Sequence, residues 1–477
     1  MHGAPPWAAL VIALPLAAGV LALLFRGRPA RAASVISALL IPGSLALLSG
    51  TVLRGGALRY RIGGWGAPLG IDLFADGLSI VMLWMTAFVG TAVTAYSVFY
   101  FRGNAEKERF FWPLWMFLWA GLNAIFLSGD VFNLYVSLEV MGLSAVALVC
   151  IAGGREALTA GLRYFLVAIT GSLTYLLGVA MLYAQYGSLD IYLIGEAAGP
   201  GPAAATAAAL MTAGLLAKTA LFPLHFWLPR AHASALSPVS AVLSALVVKA
   251  SFYMVLRLWT DAFGNALAPQ AGLFLGALGC AAVVWGALMA MRQKRLKMLV
   301  AYSTVSQIGY LFLFFPMAAH PDAFTGAVYQ ALSHAFAKAS IFLSVGNMMR
   351  SVGNDAIEGL AGAGKSVQTS VFAFGISGAS LMGLPPSGGF IAKWQLVKAS
   401  VETGQWWWAA VIMAGGLLAA AYVFPVLRRS FADGGAAGEA LKVPYGMEAA
   451  AMALAVLSLV LGIGAAIPLS FFWPARL

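Results

Sequence analysis

Charged residues are scarce in this 477-residue chain. Asp, Glu, Lys and Arg make up 9% of it, whereas hydrophobic residues make up 61%. A soluble protein carries about 25% charged residues. So few charges cannot cover a surface that faces water, and the outer surface must therefore face lipid. The composition excludes a large soluble domain and predicts an all-α polytopic membrane protein in a lipid bilayer.

Cysteine and histidine are scarce as well. Cys150 and Cys280 both lie in apolar runs, so neither a disulfide framework nor a thiolate metal site is expected. The five histidines show no zinc-binding spacing. We therefore expect no cofactor and no metal.

The basic residues outnumber the acidic ones by 28 to 17, which in a soluble protein would suggest nucleic acid. Here the basic residues are spread over short loops, as is typical of the flanks of membrane spans. One segment, 359–366, matches the spacing of a phosphate-binding loop. Such a loop needs a preceding strand, but this segment lies between two predicted spans. We expect neither nucleic acid nor nucleotide as a partner.

Apolar stretches long enough to cross a bilayer recur along the whole chain, at a span length of ~20 residues. They predict a single membrane domain, 1–477, with about fourteen transmembrane helices. The predicted spans lie at 7–25, 33–53, 75–101, 111–127, 131–152, 161–185, 205–222, 236–258, 271–291, 297–315, 321–348, 370–402, 406–427 and 445–467.

Prolines interrupt two of these spans. Pro223 and Pro229 follow span 7, and Pro385 and Pro386 divide span 12. Broken helices in corresponding positions of two halves are typical of inverted-repeat transporters. Because the breaks lie five spans apart, we predict two inverted five-helix repeats, spans 4–8 and 9–13. The chain then divides into three N-terminal spans (1–110), a first repeat (111–258), a second repeat (271–427) and a last span (445–477).

The distribution of Lys and Arg predicts the orientation. Most of them lie in the odd-numbered loops between the predicted spans. The positive-inside rule places these loops in the cytoplasm and both termini on the outer side of the cell (inner or plasma) membrane.

Five charged residues lie inside predicted spans, where each costs ~2.5–3.5 kcal/mol on insertion scales. Structural ion pairing between helices is one explanation. Because Lys218 and Lys393 lie beside the helix breaks, we favour a functional row. The five residues are Glu139, Lys218, Lys249, Lys338 and Lys393.

Burial disfavours the charged form of a lysine and a nearby carboxylate restores it, so such a lysine can gain and lose a proton. His334 precedes Lys338 by four residues and so shares its helix face. A neutral imidazole there could pass a proton between lysines. His225 and His232 are secondary candidates, with satisfaction of freed backbone groups as the alternative role.

Several motifs carry a family resemblance. Residues 128–136, followed by Glu139, resemble the fifth span of the D subunit of Mrp-type multisubunit Na+/H+ antiporters. Residues 218–229 resemble span 7 of the wider antiporter-like family, which includes proton-pumping membrane subunits of respiratory complex I and of membrane-bound hydrogenases. Further motifs similar to spans 10, 11 and 12 of that family lie at 299–310, 334–339 and 383–390.

The resemblance implies a fourteen-helix fold with two inverted five-helix repeats. It also implies a hydrophilic axis at mid-membrane, lined by the five charged residues, and sister membrane subunits as partners. We expect a proton- and cation-translocating subunit of a multisubunit complex, in monovalent cation/proton antiport with Na+ as the candidate cation.

Two alternatives stay open. The first is a proton-pumping subunit of a complex I-like or membrane-bound hydrogenase-type redox complex, since residues 229–241 resemble the hydrogenase-type members. The second is a structural scaffold that does not translocate ions. No catalytic site is expected in the chain itself, and membership of a redox-driven translocase stays open.

Overall fold

The computed structural model describes residues 6–264, 266–433 and 441–471. Both termini, and residues 472–477 of the predicted last segment, lie outside the described residues. Helices dominate, because a helix satisfies all its interior backbone hydrogen bonds without water.

The N-terminal part contains three long helices and a hairpin. The strands β1 (Leu58–Arg61) and β2 (Asp72–Ala75) pair antiparallel between the second and third helices. The helices are α1 (Trp7–Leu24), α2 (Arg28–Gly55) and α3 (Gly77–Tyr100).

The next part contains the first helix break. A π-helical turn, Leu243–Val247, joins two of its helices, and a second one, Leu258–Ala262, follows the last. The helices are α4 (Ala105–Leu127), α5 (Val131–Cys150), α6 (Gly154–Tyr186), α7 (Ile191–Ala197), α8 (Pro202–Thr219), α9 (Leu228–Ser234), α10 (Ser237–Val242) and α11 (Val248–Arg257).

The third part contains the second break, and two helices follow it near the C-terminus. Its helices are α12 (Pro269–Met291), α13 (Leu296–Phe312), α14 (Pro321–Val352), α15 (Ala363–Ser366), α16 (Gln368–Met382), α17 (Gly388–Glu402) and α18 (Trp407–Ser430). The last two are α19 (Tyr445–Ile463) and α20 (Ala466–Ser470). The segment 359–366 lies between α14 and α16, so it follows a helix and not a strand.

Among the described residues, eleven helical segments are long and apolar enough to cross a membrane. The predicted helical membrane fold is thereby confirmed. The other three predicted spans correspond to α8, to α14 with its buried polar residues, and to the pair α16–α17. The count of fourteen spans and the division into repeats stay predictions.

Burial separates central from peripheral helices. Within Ser237–Ala262, which contains α10 and α11, the 18-residue apolar stretch is entirely buried by the rest of the chain, whereas the corresponding stretches of α1 and α18 are only 33% buried. The central α14 is likewise buried over almost its whole length. The helices that carry Lys249 and Lys338 are therefore the ones shielded from lipid.

The helices α6 and α8 approach closely at glycines. A Cβ added at Gly214 would lie 2.2 Å from the carbonyl oxygen of Gly171 and 3.0 Å from the backbone nitrogen of Tyr175. No side chain fits there without moving the backbone of α6. This approach fixes the position of the C-terminal end of α8.

We expect Gly214→Ala to separate α6 from α8 and to lower the free energy of unfolding by roughly 1–3 kcal/mol, the usual cost of overpacking. The thermal unfolding midpoint of the detergent-solubilised protein measures it. Gly50→Ala is the matched control, because a Cβ at that helical position meets nothing within 4 Å. An unchanged midpoint for Gly214→Ala would contradict the packing argument.

Candidate functional site

The first pair of the predicted row is formed between α5 and α8. Lys218 Nζ lies 3.1 Å from Oε1 of Glu139, and the Ser172 hydroxyl on α6 donates to the same oxygen. The Lys218 side chain is 4% exposed and that of Glu139 is 25% exposed. The structure thus brings together two of the sequence-predicted residues, with the carboxylate at the outer edge of the pair.

The break in span 7 follows directly. α8 ends at Thr219, and Ala220 adopts a positive φ of 58°. Trp227 closes the break from the far side, because its indole nitrogen donates to the carbonyl oxygen of Ala217 at 2.9 Å. Lys218 therefore lies in the last turn of α8, where the helix dipole favours a positive charge.

The prolines of this break have different positions. Pro223 lies in the non-helical segment 220–227. Pro229 lies in the first turn of α9, where the backbone has no use for the missing N–H group. Pro229 therefore begins α9, although its position in the sequence predicts that it breaks a helix.

Lys249 is buried on α11. Its Nζ donates to the carbonyl oxygen of Ser244, which lies in the π-helical turn that precedes α11. Such turns are rare and are frequent at functional sites. The Ser244 hydroxyl lies 2.9 Å from the Thr304 hydroxyl, so the surroundings of Lys249 continue into α13.

Lys338 on α14 is also bound by α13. Its Nζ donates to the carbonyl oxygen of Val300 at 2.9 Å and to the hydroxyl of Ser303. His334 lies one turn earlier on α14, and neither of its ring nitrogens has a hydrogen-bond partner among the described residues. The charged groups that interact with this imidazole are Lys249, Lys338 and Lys393.

Lys393 on α17 reaches back across the second break. Its Nζ donates to the last carbonyl groups of α16, those of Leu381 at 2.6 Å and Met382 at 3.1 Å. It also lies 4.5 Å from the ring centre of Tyr310. Free carbonyl groups at a helix end attract a cation. The break thus supplies the partners of Lys393.

The turn at this second break requires glycine. Gly383 adopts a φ of 84°, and a Cβ there would lie 2.7 Å from Cδ of Lys393. Pro385 and Pro386 follow it, between the end of α16 and the start of α17.

Polar side chains on α13 and α14, not predicted from the sequence, lie between Lys338 and Lys393. The Gln307 amide on α13 donates to the carbonyl oxygen of Leu381 at 3.3 Å, and Gln330 donates to Gln307 Oε1 at 3.0 Å. Ser303 and Gln307 are four residues apart and so share a face of α13. The four-residue spacing of these two polar residues within 299–310 is the feature of the sequence that indicates a polar face on α13.

The two secondary histidines differ in position. His232 on α9 is fully buried, stacks on Phe342 at 4.8 Å, and has no hydrogen-bond partner for either ring nitrogen among the described residues. Lys338, Lys249 and Lys297 are the charged groups that interact with it.

His225 instead accepts a hydrogen bond from the indole of Trp285 at 3.2 Å and is only partly buried. The structure therefore brings His232 to the row of lysines and leaves His225 at the periphery.

A second charged cluster lies outside the row. Arg257 at the end of α11 binds both carboxylate oxygens of Asp76 at 2.7 Å, and it also binds Asp261 at 2.9 Å. Burial disfavours the ionised form of Asp76, but the Arg257 guanidinium holds its pKa below the ordinary value. This cluster connects the start of α3 to the end of α11. The sequence does not predict it, because Asp76 and Arg257 are far apart along the chain.

One group of metal-ligating residue types occurs among the described residues, formed by His320, Asp322 and Glu402. His320 Nε2 lies 2.8 Å from Glu402, and Lys398 Nζ lies 2.9 Å from Asp322. Its polar groups thus pair with one another and with a lysine. It lies apart from the row of lysines.

The fold and the buried row of lysines define a class of antiporter-like membrane subunits. The family described as "NADH:quinone oxidoreductase/Mrp antiporter, TM" matches residues 128–419. Residues 65–111 match the family described as "NADH-Ubiquinone oxidoreductase (complex I), chain 5 N-terminus". Because the first match covers more than half of the chain, the protein belongs to the NADH:quinone oxidoreductase/Mrp antiporter family.

Two relatives of known name are similar to most of the chain. The chain is 35% identical over 404 residues to the N subunit of the NADH-quinone oxidoreductase of Desulforudis audaxviator, covering 83% of this chain and 80% of the relative. It is 30% identical over 373 residues to the D subunit of the Na(+)/H(+) antiporter of Alkalihalophilus pseudofirmus, covering 77% and 75%.

Solved structures of three different membrane complexes contain chains similar to this one. A chain of the Mrp complex from a Dietzia species matches with a TM-score of 0.88 at 26% identity, covering 98% of this chain and 96% of that one. A chain of an archaeal membrane-bound sulfane sulfur reductase matches with the same values. A chain of respiratory complex I from Thermus thermophilus matches with a TM-score of 0.77 at 25% identity, covering 97% and 98%.

The buried pair predicts energetic coupling between Glu139 and Lys218. Glu139→Gln and Lys218→Met each leave one partner unmatched, so each lowers stability, whereas the double variant removes both members. We expect a coupling energy of about 0.5–3 kcal/mol in a double-mutant cycle of thermal unfolding. Simple addition of the two single effects would show that the groups do not interact.

Proposed function

We propose that the chain is a proton- and cation-translocating membrane subunit of a multisubunit complex. The observation that carries the proposal is the row of buried lysines, from the Glu139–Lys218 pair through Lys249 and Lys338 to Lys393. Intramembrane ionisable residues mark proton relays and ion pathways.

The Glu139–Lys218 pair is the proposed gate. While Glu139 is near, its carboxylate stabilises the charged form of Lys218. When Glu139 is drawn away, the buried ammonium loses that stabilisation and releases its proton toward Lys249. The pair then titrates as a unit, and its proton affinity belongs to neither residue alone.

The buried histidines support transfer between the lysines. The ring nitrogens of His232 and His334 have no hydrogen-bond partner among the described residues, and both imidazoles lie within electrostatic range of Lys249 and Lys338. An imidazole can accept a proton on one nitrogen and release it from the other. We assign them as relays, and His225 keeps only a secondary role.

Antiport of a monovalent cation, with Na+ as the candidate, is the favoured form of this activity, with sister membrane subunits as partners. The match to the antiporter relative and to the Mrp complex chain supports it. A proton-pumping role in a redox complex is the second candidate, which the 35% identity to the oxidoreductase relative favours. In both forms the arginine-rich loops lie in the cytoplasm and the termini on the outer side of the plasma membrane.

In vesicles that carry the whole complex, we expect Glu139→Ala and Lys218→Ala to abolish ion-gradient-dependent pH change. Removing one member of a buried ion pair leaves an uncompensated charge, which destabilises the protein by ~3–5 kcal/mol. Glu139→Asp keeps the charge with a shorter reach and should retain partial activity.

Lys365→Ala is the control, because that lysine is exposed on the short helix α15, away from the row of lysines. Native gels check assembly. Unchanged transport by an assembled Glu139→Ala complex would contradict the gate, and unchanged transport by a Lys218→Ala, Lys393→Ala variant would favour the scaffold alternative.

The source of energy is tested in the same vesicles. We expect an imposed Na+ gradient to move protons without any electron donor, because the antiport form needs only an ion gradient. Proton movement that requires an electron donor and acceptor would instead select the redox form. A vesicle that carries the Lys218→Ala complex controls for passive leakage.

A further inference from the structure

A basic cavity lies at one end of α6, away from the row of lysines. Its volume is about 490 Å³, and four arginines line it together with one carboxylate. Arg155, Arg163 and Arg230 form no ion pair with any described residue, whereas Arg295 pairs with Asp355 at 3.0 Å. The charged and amide side chains that line the cavity are Arg155, Glu156, Arg163, Arg230, Gln293 and Arg295.

This excess of positive charge has a chemical consequence. Guanidinium groups bind phosphate oxygens through paired hydrogen bonds, and they keep their charge at any physiological pH. The same charges repel cations, so the cavity is unsuited as an entrance for Na+ or protons. It fits a phosphate group.

An apolar groove adjoins the cavity. Its volume is about 370 Å³, and it shares Arg163 with the cavity. From there it follows α6 past Leu166 to Thr170, beside Leu224 and Phe226 of the helix break. At 1.5 Å per residue, the distance along α6 from Arg155 to Thr170 is roughly 22 Å. A bilayer leaflet has a hydrocarbon depth of about 15 Å, so this path reaches from the headgroup region toward mid-membrane.

We propose that the cavity and the groove together bind one anionic glycerophospholipid, with its phosphate among the arginines and an acyl chain along α6. Basic pockets between transmembrane helices are typical binding sites for anionic headgroups. The acyl chain covers part of the non-helical segment 220–227, whose residues 222–226 are partly or fully exposed in the chain alone. The ligand then lies beside the end of α8, where Lys218 is located. This site stands independently of the proposed ion translocation.

The test uses the assembled complex, purified in detergent and exchanged into phosphatidylglycerol or into zwitterionic phosphatidylcholine. The basic variant is Arg155→Gln, Arg163→Gln, Arg230→Gln. The control variant, Arg26→Gln, Arg28→Gln, Arg109→Gln, removes the same charge from the turn before α2, the start of α2 and the first turns of α4. Native mass spectrometry counts the phosphatidylglycerol molecules that each complex retains.

We expect the basic variant to retain one phosphatidylglycerol fewer per complex. Its affinity for that lipid should fall on the order of a hundredfold, because each of the three removed arginines contributes to the attraction of the anionic headgroup. The control variant should retain the full number. Equal loss in both variants, or no loss in either, would overturn the proposal. Loss of a sister subunit with unchanged lipid content would also overturn it, in favour of a protein interface.

A second variant distinguishes a lipid from free phosphate. Thr170→Trp fills the groove without touching the arginines, so it should reduce retention of phosphatidylglycerol. Inorganic phosphate, added alone, should not change the thermal unfolding midpoint of the protein. If Thr170→Trp retains the lipid fully, and inorganic phosphate alone stabilises the protein in an arginine-dependent way, the ligand is a free anion and the lipid proposal is wrong.

Discussion

The buried ammonium groups need oxygen partners, and a regular helix offers few of them, because its interior carbonyl groups are already bonded within the helix. Irregular backbone supplies most of them here. Lys393 uses the carbonyl groups at the end of α16, and Lys249 uses one in the π-helical turn. Lys338 shares the carbonyl oxygen of Val300 with α13 itself. The helix break beside Lys393 and the π-helical turn beside Lys249 thus supply oxygen partners for the buried cations.

The contrast between Arg257 and the lysines separates anchoring from proton chemistry. Arg257 is held by the carboxylates of Asp76 and Asp261 and cannot lose its proton in a protein. It therefore fastens α3 to α11. A lysine held only by neutral oxygens keeps its charge less firmly, because burial disfavours the charged form and no carboxylate offsets it. The lysines, not the arginine, are suited to exchange protons.

Much of the architecture was open to prediction from the sequence, because apolar runs and prolines have local causes. The approximate positions of the helices and of the two breaks follow from the apolar runs and from the prolines along the chain. The resemblance implies that Glu139 and Lys218 line one axis, but their pairing is visible only in the structure, since residues on α5 and α8 meet through tertiary packing. The roles of Gln307 and Ser244 were missed, because isolated polar residues in apolar helices are common. The position of Pro229 could not be predicted from the sequence, because proline breaks the interior of a helix but is tolerated in its first turn.

The two breaks are not equivalent, and this asymmetry constrains how charge can be distributed. Among the described residues, Glu139 is the one carboxylate that pairs with a lysine of the row, and it pairs with Lys218. Lys393, at the other end, has carbonyl oxygens and the face of Tyr310 but no carboxylate. Four lysines that shared one negative charge would repel one another strongly at low dielectric. Full charge on every lysine of the row is therefore disfavoured, and a proton gained at one lysine weakens the hold of its neighbours on theirs. That coupling is what a directed transfer along the row requires.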